Sequence, residues 1–202
     1  MRQAVIENRK AFARGLQDQS LTVAPLCLNP LMARIAQGSG FTCGYLSGGA
    51  LGFELAISEA LLSISEVSSY ARQITSRSNI SLIVDVGVGF GDAVHAWRTC
   101  RDIEATGAVA LEIEDQVSPK RVHHHKGVEH LVSQSEMEEK IRETVGARDD
   151  PNFTVIARTS AIANESVDSA IKRAEAYTEA GADVILLSPR SEEEIRILGR
   201  SI

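Results

Sequence analysis

Aromatic side chains are scarce in this chain of 202 residues, with one Trp, three Tyr and five Phe making up 4% of it. Burial therefore rests on Ala, Val, Ile and Leu, the side chains that line layered α/β interiors, and a stacking platform for single-stranded nucleic acid is not expected. Cysteine is also rare. Cys27, Cys43 and Cys100 are an odd number at wide spacing, which argues against a disulfide framework or a zinc site and for a reducing, cytoplasmic setting. Positive charge is in deficit: 21 Lys and Arg stand against 27 Asp and Glu, a net charge of -6 without any basic run, so a nucleic-acid partner is not expected. No segment reaches the ~18 uninterrupted apolar residues that span a bilayer, and Met1 to Gln17 is charged throughout with no apolar core of a signal peptide, so no membrane association is expected. What is present, 44% hydrophobic and 24% charged residues with 15 Gly and 5 Pro, is ordinary globular usage.

Short apolar runs of strand length alternate with longer amphipathic stretches, the pattern of parallel βα units. Six runs are predicted as strands: Thr22 to Cys27, Cys43 to Ser47, Ser81 to Val86, Ala108 to Asp115, Phe153 to Thr159 and Ala182 to Ser188. Their continuous Val, Ile and Leu content implies a sheet covered on both faces. Helical spacing appears at Leu31 to Gln37, Ser65 to Thr75, Asp92 to Ala105, Ser135 to Ala147 and Ser166 to Ala180, with residues 1–18 as a leading helix. Glycine-led junctions before three of the strands, at residues 38–40, 107 and 181, form a weak internal repeat. No linker or shift in composition divides the chain, so residues 1–202 read as one domain. A G-x-G-x-x-G turn after the first strand is missing, which disfavours a dinucleotide fold and favours a (β/α)8 barrel. Such barrels take about 250 residues, so only about six of the eight βα units are expected here, and the last two are absent from this chain.

In a parallel α/β fold the C-terminal strand ends converge on one face. There the sequence places Tyr45-Leu-Ser47-Gly48-Gly49, then Asp85, then Glu112-Ile-Glu114-Asp115-Gln116, then Arg158-Thr159-Ser160, then Ser188-Pro189-Arg190. The small residues after Tyr45 leave backbone N–H groups for an anion such as a carboxylate. Alternation puts Glu112 and Glu114 on one side of their strand and Asp115 on the other, where it serves as a loop anchor. Asp85 and Glu114 suit Mg2+, a hard ion that takes oxygen ligands and keeps waters, while Arg158 suits a substrate carboxylate. Ion pairing among these same residues is the structural alternative, and spacing alone leaves both open. The histidines 123–125 with His130 read as a solvated loop rather than a transition-metal site, Cys43 and Cys100 as core, and His95 as a surface or packing residue.

The run Ile113-Glu-Asp-Gln-Val-Ser-Pro-Lys-Arg121 resembles the signature of the isocitrate lyase and phosphoenolpyruvate mutase superfamily. Tyr45 to Gly49, Asp85 to Gly91, Ala157 to Ala161 and Ala174 to Asp183 are similar to further motifs of that family in the same order, so the resemblance covers roughly residues 10–200. It implies a (β/α)8 barrel, a homo-oligomer (dimer or tetramer), and Mg2+-dependent making or breaking of a C–C or P–C bond beside a 2-oxo or 2-hydroxy acid, with Mn2+ as the alternative ion. By position it makes Asp85 a direct metal ligand and Glu114 a ligand through water. Tyr45, Ser47, Gly48, Gly49 and Arg158 would bind the small carboxylic-acid substrate; Lys120 at the base of a gating loop, Arg158, and His124 at the family's histidine position would be catalytic, with His123 or His125 as an alternative proton donor.

The chain also departs from that pattern. Val122 stands where lyases of the family carry their acid cysteine, Gly87 replaces the second acid of the Asp loop, Ser160 replaces the acid after Arg158-Thr159, and Ser188 replaces a glutamate. Glu54 and Glu59 both lie near the place of an early metal-side acid, and the sequence does not choose between them. The expected activity is a lyase or decarboxylase working through an enolate. A carboxyphosphonoenolpyruvate mutase-like enzyme and an impaired paralogue that binds an acid or a protein partner are the alternatives.

Overall fold

The computed structural model describes residues 3–18, 21–121 and 124–201, without the side chain of His125. Five parallel strands form one sheet in sequential order: β1 (Cys43–Leu46), β2 (Ser81–Asp85), β3 (Ala110–Glu114), β4 (Thr154–Thr159) and β5 (Val184–Leu187). A doubly wound sheet reverses its strand order part-way; this one does not, and it is a curled half-barrel wall. The expected count of six strands is therefore corrected to five. The run Thr22 to Cys27 lies against β1 and exchanges two hydrogen bonds with it, Cys27 N–H to Tyr45 O at 2.8 Å and Tyr45 N–H to Pro25 O at 2.9 Å. Pro25 has no N–H to continue a ladder, and the cap of the next helix begins at Asn29, so only the isolated bridge of Leu26 to Tyr45 forms.

The helices follow the amphipathic spacing. They are α1 (Gln3–Gly15), α2 (Pro30–Gly38), α3 (Gly48–Leu55), α4 (Ile64–Thr75), α5 (Ala93–Glu104), α6 (Gln134–Ala147), α7 (Ala161–Asn164), α8 (Val167–Glu179) and α9 (Glu192–Ser201). Their starts are set by side-chain caps: Asn29 on Met32 N–H, Ser63 in a capping box with Glu66, Asp92 on Val94 and His95 N–H, and Ser166 on Ser169 N–H. Before β3 and β5 the chain turns through Gly107 (φ 91°) and Gly181 (φ 106°); before β1 this conformation falls on Gly40 (φ 92°). α3 and the single-turn α7 have no counterpart in the helical pattern of the sequence. α3 is glycine-rich, and its start was read as an open anion loop.

Alternation along each strand sorts the two faces. Leu46, Leu82, Val84, Leu111, Ile113, Val155 and Ala157 point outward into the main core beneath α4, α5, α6 and α8. Cys43, Ile83, Ala110, Ile156 and Val184 point inward and form an apolar floor on which Phe12 of α1 packs. α1 is fixed there by buried Arg9, whose guanidinium donates to Ala108 O (2.9 Å) and Glu104 O (2.7 Å) and pairs with Glu104 and Asp150. Among the described residues no helix is long and apolar enough to cross a membrane.

Candidate active site

The residues following that floor on the inner face are polar. Register pairs Tyr45 with Ile83, Asp85 with Glu112, and Glu114 with Arg158, so the inward positions after the apolar layer carry Tyr45, Asp85, Glu112, Glu114 and Arg158. Three carboxylates are thereby buried together, with Asp85 6% exposed and Glu112 and Glu114 each 1% exposed.

Asp85 is held by backbone donors on two loops, Gly48 N–H to Oδ2 (2.9 Å) and Gly87 N–H to Oδ1 (2.8 Å). The expected anion-binding amide of Gly48 is thus engaged by Asp85. Ser47 caps α3 by accepting from Ala50 N–H (3.2 Å), which leaves its hydroxyl proton to donate, and Gly49 N–H is a first-turn amide with no intrahelical acceptor. Glu112 accepts from Tyr45 OH (2.6 Å) and from Arg158 Nη1 (3.2 Å), bridging β1 and β4 beneath the mouth. Glu114 accepts from Gln116 Nε2 (3.1 Å), lies 3.6 Å from Arg158 Nε, and meets Lys120 Nζ through Oε1. Lys120 also donates to Glu59 Oε1 (2.7 Å), and His124 Nε2 is 3.4 Å from the same atom while its Nδ1 lies 2.8 Å from Arg121 O.

The two candidates for the early acid lie in different places. Glu59, in a short 3-10 turn over residues 59–61, joins Lys120 and His124 at the mouth, whereas Glu54 lies on the exposed side of α3. A Cβ at Gly87 would meet Lys120 Cε at 3.7 Å and Glu114 Oε1 at 3.9 Å, so where the family carries a second acid this chain presents space bounded by those two side chains. At Gly89 (φ 79°) the left-handed backbone favours glycine, and a Cβ there would push on Ile113 Cδ1 at 2.7 Å. Val122 and His123 and the side chain of His125 lie outside the described residues.

The electrostatics follow from this crowding. Burial first, then the neighbouring Glu114, raises the Asp85 carboxyl above its usual range. Burial and Asp85 push Glu112 up to about 7, opposed by the Tyr45 and Arg158 donors. Burial works against the Lys120 ammonium, but Glu114 and Glu59 outweigh it and hold it above its ordinary value; Arg158 is held up in the same way by Glu114, Glu112 and Asp85. Two buried atoms, Glu114 Oε1 and Arg158 Nε, have no hydrogen bond of good geometry among the described residues, although each faces an opposite charge.

These residues fit a hard divalent cation. The donors are all carboxylate oxygens, one of them short of a proper partner, and the acids Asp85, Glu112, Glu114 and Glu59 outnumber the fixed cations Lys120 and Arg158. Among the described residues no three His, Cys, Asp or Glu side chains form a cage. Mg2+ does not need one, since it is usually held by one or two carboxylates and keeps several waters. A cavity of about 210 Å³ lies beside these groups, lined by Gly48, Glu59, Asp85, Gly87, Phe90 and Lys120 among others. A larger open groove of about 1050 Å³ between α4 and α5 lies at the other ends of the strands and gathers none of the inward residues of the mouth.

Behind the mouth, Asp115 points away from Glu114, as alternation predicted. Buried Asp115 accepts from Tyr177 OH (2.8 Å), Arg173 Nη1 (3.3 Å) and Ser160 N–H (3.4 Å). Arg173 also donates to Val132 O (3.1 Å), and Val132 N–H donates to Asp115 O (2.8 Å), so the two ends of the loop that carries Lys120 and His124 are fastened together.

The family model described as phosphoenolpyruvate phosphomutase matches residues 12–200. The chain belongs to the phosphoenolpyruvate phosphomutase family. Within it, the chain is 38% identical over 196 residues to the probable 2-methylisocitrate lyase 1 of Corynebacterium glutamicum, covering 96% of this chain and 64% of that protein. It is 36% identical to the 2,3-dimethylmalate lyase of Eubacterium barkeri, covering 93% of this chain and 65% of that one. The chain therefore spans just under two thirds of the length of these curated relatives. A crystal structure of phosphonopyruvate hydrolase in complex with oxalate and Mg2+ superposes with a TM-score of 0.88 at 36% identity, over 96% of this chain and 68% of that one.

Proposed function

We propose that this chain carries the acid-binding and metal-binding groups of a lyase active site. The substrate is a small 2-oxo or 2-hydroxy acid of the alkylmalate or oxaloacetate kind, cleaved or decarboxylated beside its carbonyl or hydroxyl carbon. The observation that carries this reading is the convergence of Asp85, Glu112 and Glu114 with Lys120 and Arg158 at one sheet end. Relatives named as lyases of branched hydroxy-acids, and a structural neighbour solved with oxalate and Mg2+, support it.

In this reading Asp85 and Glu114 would hold Mg2+ (or Mn2+), with Glu59 as the acid on the Lys120 side. The bound ion supplies positive charge beside the oxygen on which negative charge develops. Arg158 presents a planar set of donors to the substrate carboxylate, and Ser47 OH and Gly49 N–H approach it from β1. On cleavage the hydroxyl proton passes to His124, the C–C bond breaks, its electron pair leaves with the departing fragment as an enolate, and the deprotonated oxygen becomes a carbonyl. The fixed donors stabilise that charge without reorganising. Lys120 and His124 lie on one loop at the mouth, and His124 returns that proton to the fragment.

The test is turnover of 2-methylisocitrate, 2,3-dimethylmalate, oxaloacetate and phosphonopyruvate with and without Mg2+, in the wild type and in Asp85→Ala. Cation-dependent cleavage of a hydroxy- or oxo-acid that Asp85→Ala abolishes is expected. A cation response that survives Asp85→Ala removes the metal assignment, and turnover of phosphonopyruvate alone favours the phosphonate-handling alternative, for which the likeness to phosphonopyruvate hydrolase speaks.

A further inference from the structure

Glu112 has no part in the roles assigned above, yet it lies at the centre of the polar group. It is 1% exposed, opposite Asp85 in register, and its two oxygens accept from Tyr45 OH (2.6 Å) and Arg158 Nη1 (3.2 Å), two donors that favour its ionised form against the burial that opposes it. We infer that Glu112 is a specificity-determining residue whose buried charge limits how many negative charges an acid brings onto Arg158, selecting dicarboxylates over tricarboxylates.

The reasoning is a charge balance, and it rests on the reading of this site as one for small acids beside a divalent cation. Four acids, Asp85, Glu112, Glu114 and Glu59, face two fixed cations, Lys120 and Arg158. A divalent ion brings that set to neutrality. Every carboxylate on the ligand then adds negative charge to a site that has none to spare, close to a Glu112 that solvent hardly screens. Glu112 also shares its guanidinium with the ligand, because Arg158 Nη1 already donates to it. An uncharged residue at position 112 would leave the loaded site one unit more positive, and the gain would be larger for a ligand with three carboxylates than for one with two.

Calorimetric binding of malate and isocitrate at fixed free Mg2+ tests this. They are 2-hydroxy acids with two and three carboxylates. Loss of Arg158 alignment weakens both ligands alike and leaves their ratio unmoved, so the ratio of dissociation constants isolates the charge. In Glu112→Gln the ratio is expected to move toward isocitrate by about tenfold, the size of one unscreened charge contact. Glu112→Met, uncharged and of similar volume, should move it the same way, whereas Glu112→Asp should keep the wild-type ratio. A ratio that stays put in both uncharged variants, while the wild type binds both acids, overturns the role of Glu112 alone. If the wild type binds neither acid, the acid-site reading falls and this inference falls with it.

Discussion

The ammonium of Lys120 stands against the Glu114 carboxylate, on the one Glu114 oxygen that has no well-formed hydrogen bond among the described residues. Lys120 thus occupies the side of Glu114 that a cation and its water would face, bordering the space left by Gly87. In Lys120→Ala, affinity for Mg2+ or Mn2+ is expected to rise about tenfold because a competing positive charge is gone. Turnover should nevertheless drop by about a hundredfold, as the loop loses its charged contact. Cation titration by calorimetry, set beside kcat, reads both; unchanged cation affinity would show that the ammonium does not compete for Glu114.

Arg158 reaches Glu112 through Nη1, lies 3.6 Å from Glu114 through Nε, and is 28% exposed at the mouth. Arg158→Lys retains the charge but loses the planar fork, so KM should rise about ten- to hundredfold with a smaller change in kcat. Alanine is the poorer test, since it strands two buried carboxylates. A KM equal to that of the wild type would remove Arg158 from substrate binding.

Arg173 links Asp115, Val132 and Glu165, and through them the two ends of the loop of residues 116–132. Arg173→Met leaves Asp115 buried without its charge partner and is expected to destabilise the chain by about 3 kcal/mol. Hydrogen exchange at the amides of Val117 and Val132 should accelerate more than exchange in β2. Equal acceleration everywhere would mean that Arg173 supports the fold at large and not the loop.

Lys140 is 1% exposed and donates to Val88 O at 2.5 Å, fixing the loop that follows Asp85. Burial lowers its pKa from the ordinary 10.5 despite nearby acids. Between the lowered folded value and the unfolded one, the unfolded chain binds more protons, so this contribution to stability grows as pH rises toward 10.5 and is lost as pH falls through the folded value. Denaturant melts should therefore show the wild type gaining on Lys140→Met as pH rises from neutral to 10. A difference that is flat across that range contradicts the assignment.

Much of the site was legible beforehand because strand alternation is a local rule. Tyr45, Asp85, Glu114 and Arg158 end apolar runs, and their parity alone sends them to one face, just as it turns Asp115 the other way. Glu59 was not legible, since it sits on a short turn whose place depends on how α3 packs, and Glu54 had equal claim. Glu112 was visible as an inward acid, but its bonds to Tyr45 and Arg158 cross strands separated by 67 and 46 residues.

Composition and periodicity by themselves determined the parallel βα order and the identity of the strand-tip residues, since each depends on neighbours within a few positions. Only the tertiary structure decided that Thr22 to Cys27 stays outside the sheet, that Gly48 serves Asp85, and that Lys120 stands on Glu114. Those outcomes depend on which hydrogen-bonding groups from distant segments meet, and the chain sets that only when the sheet curls and its loops close over it.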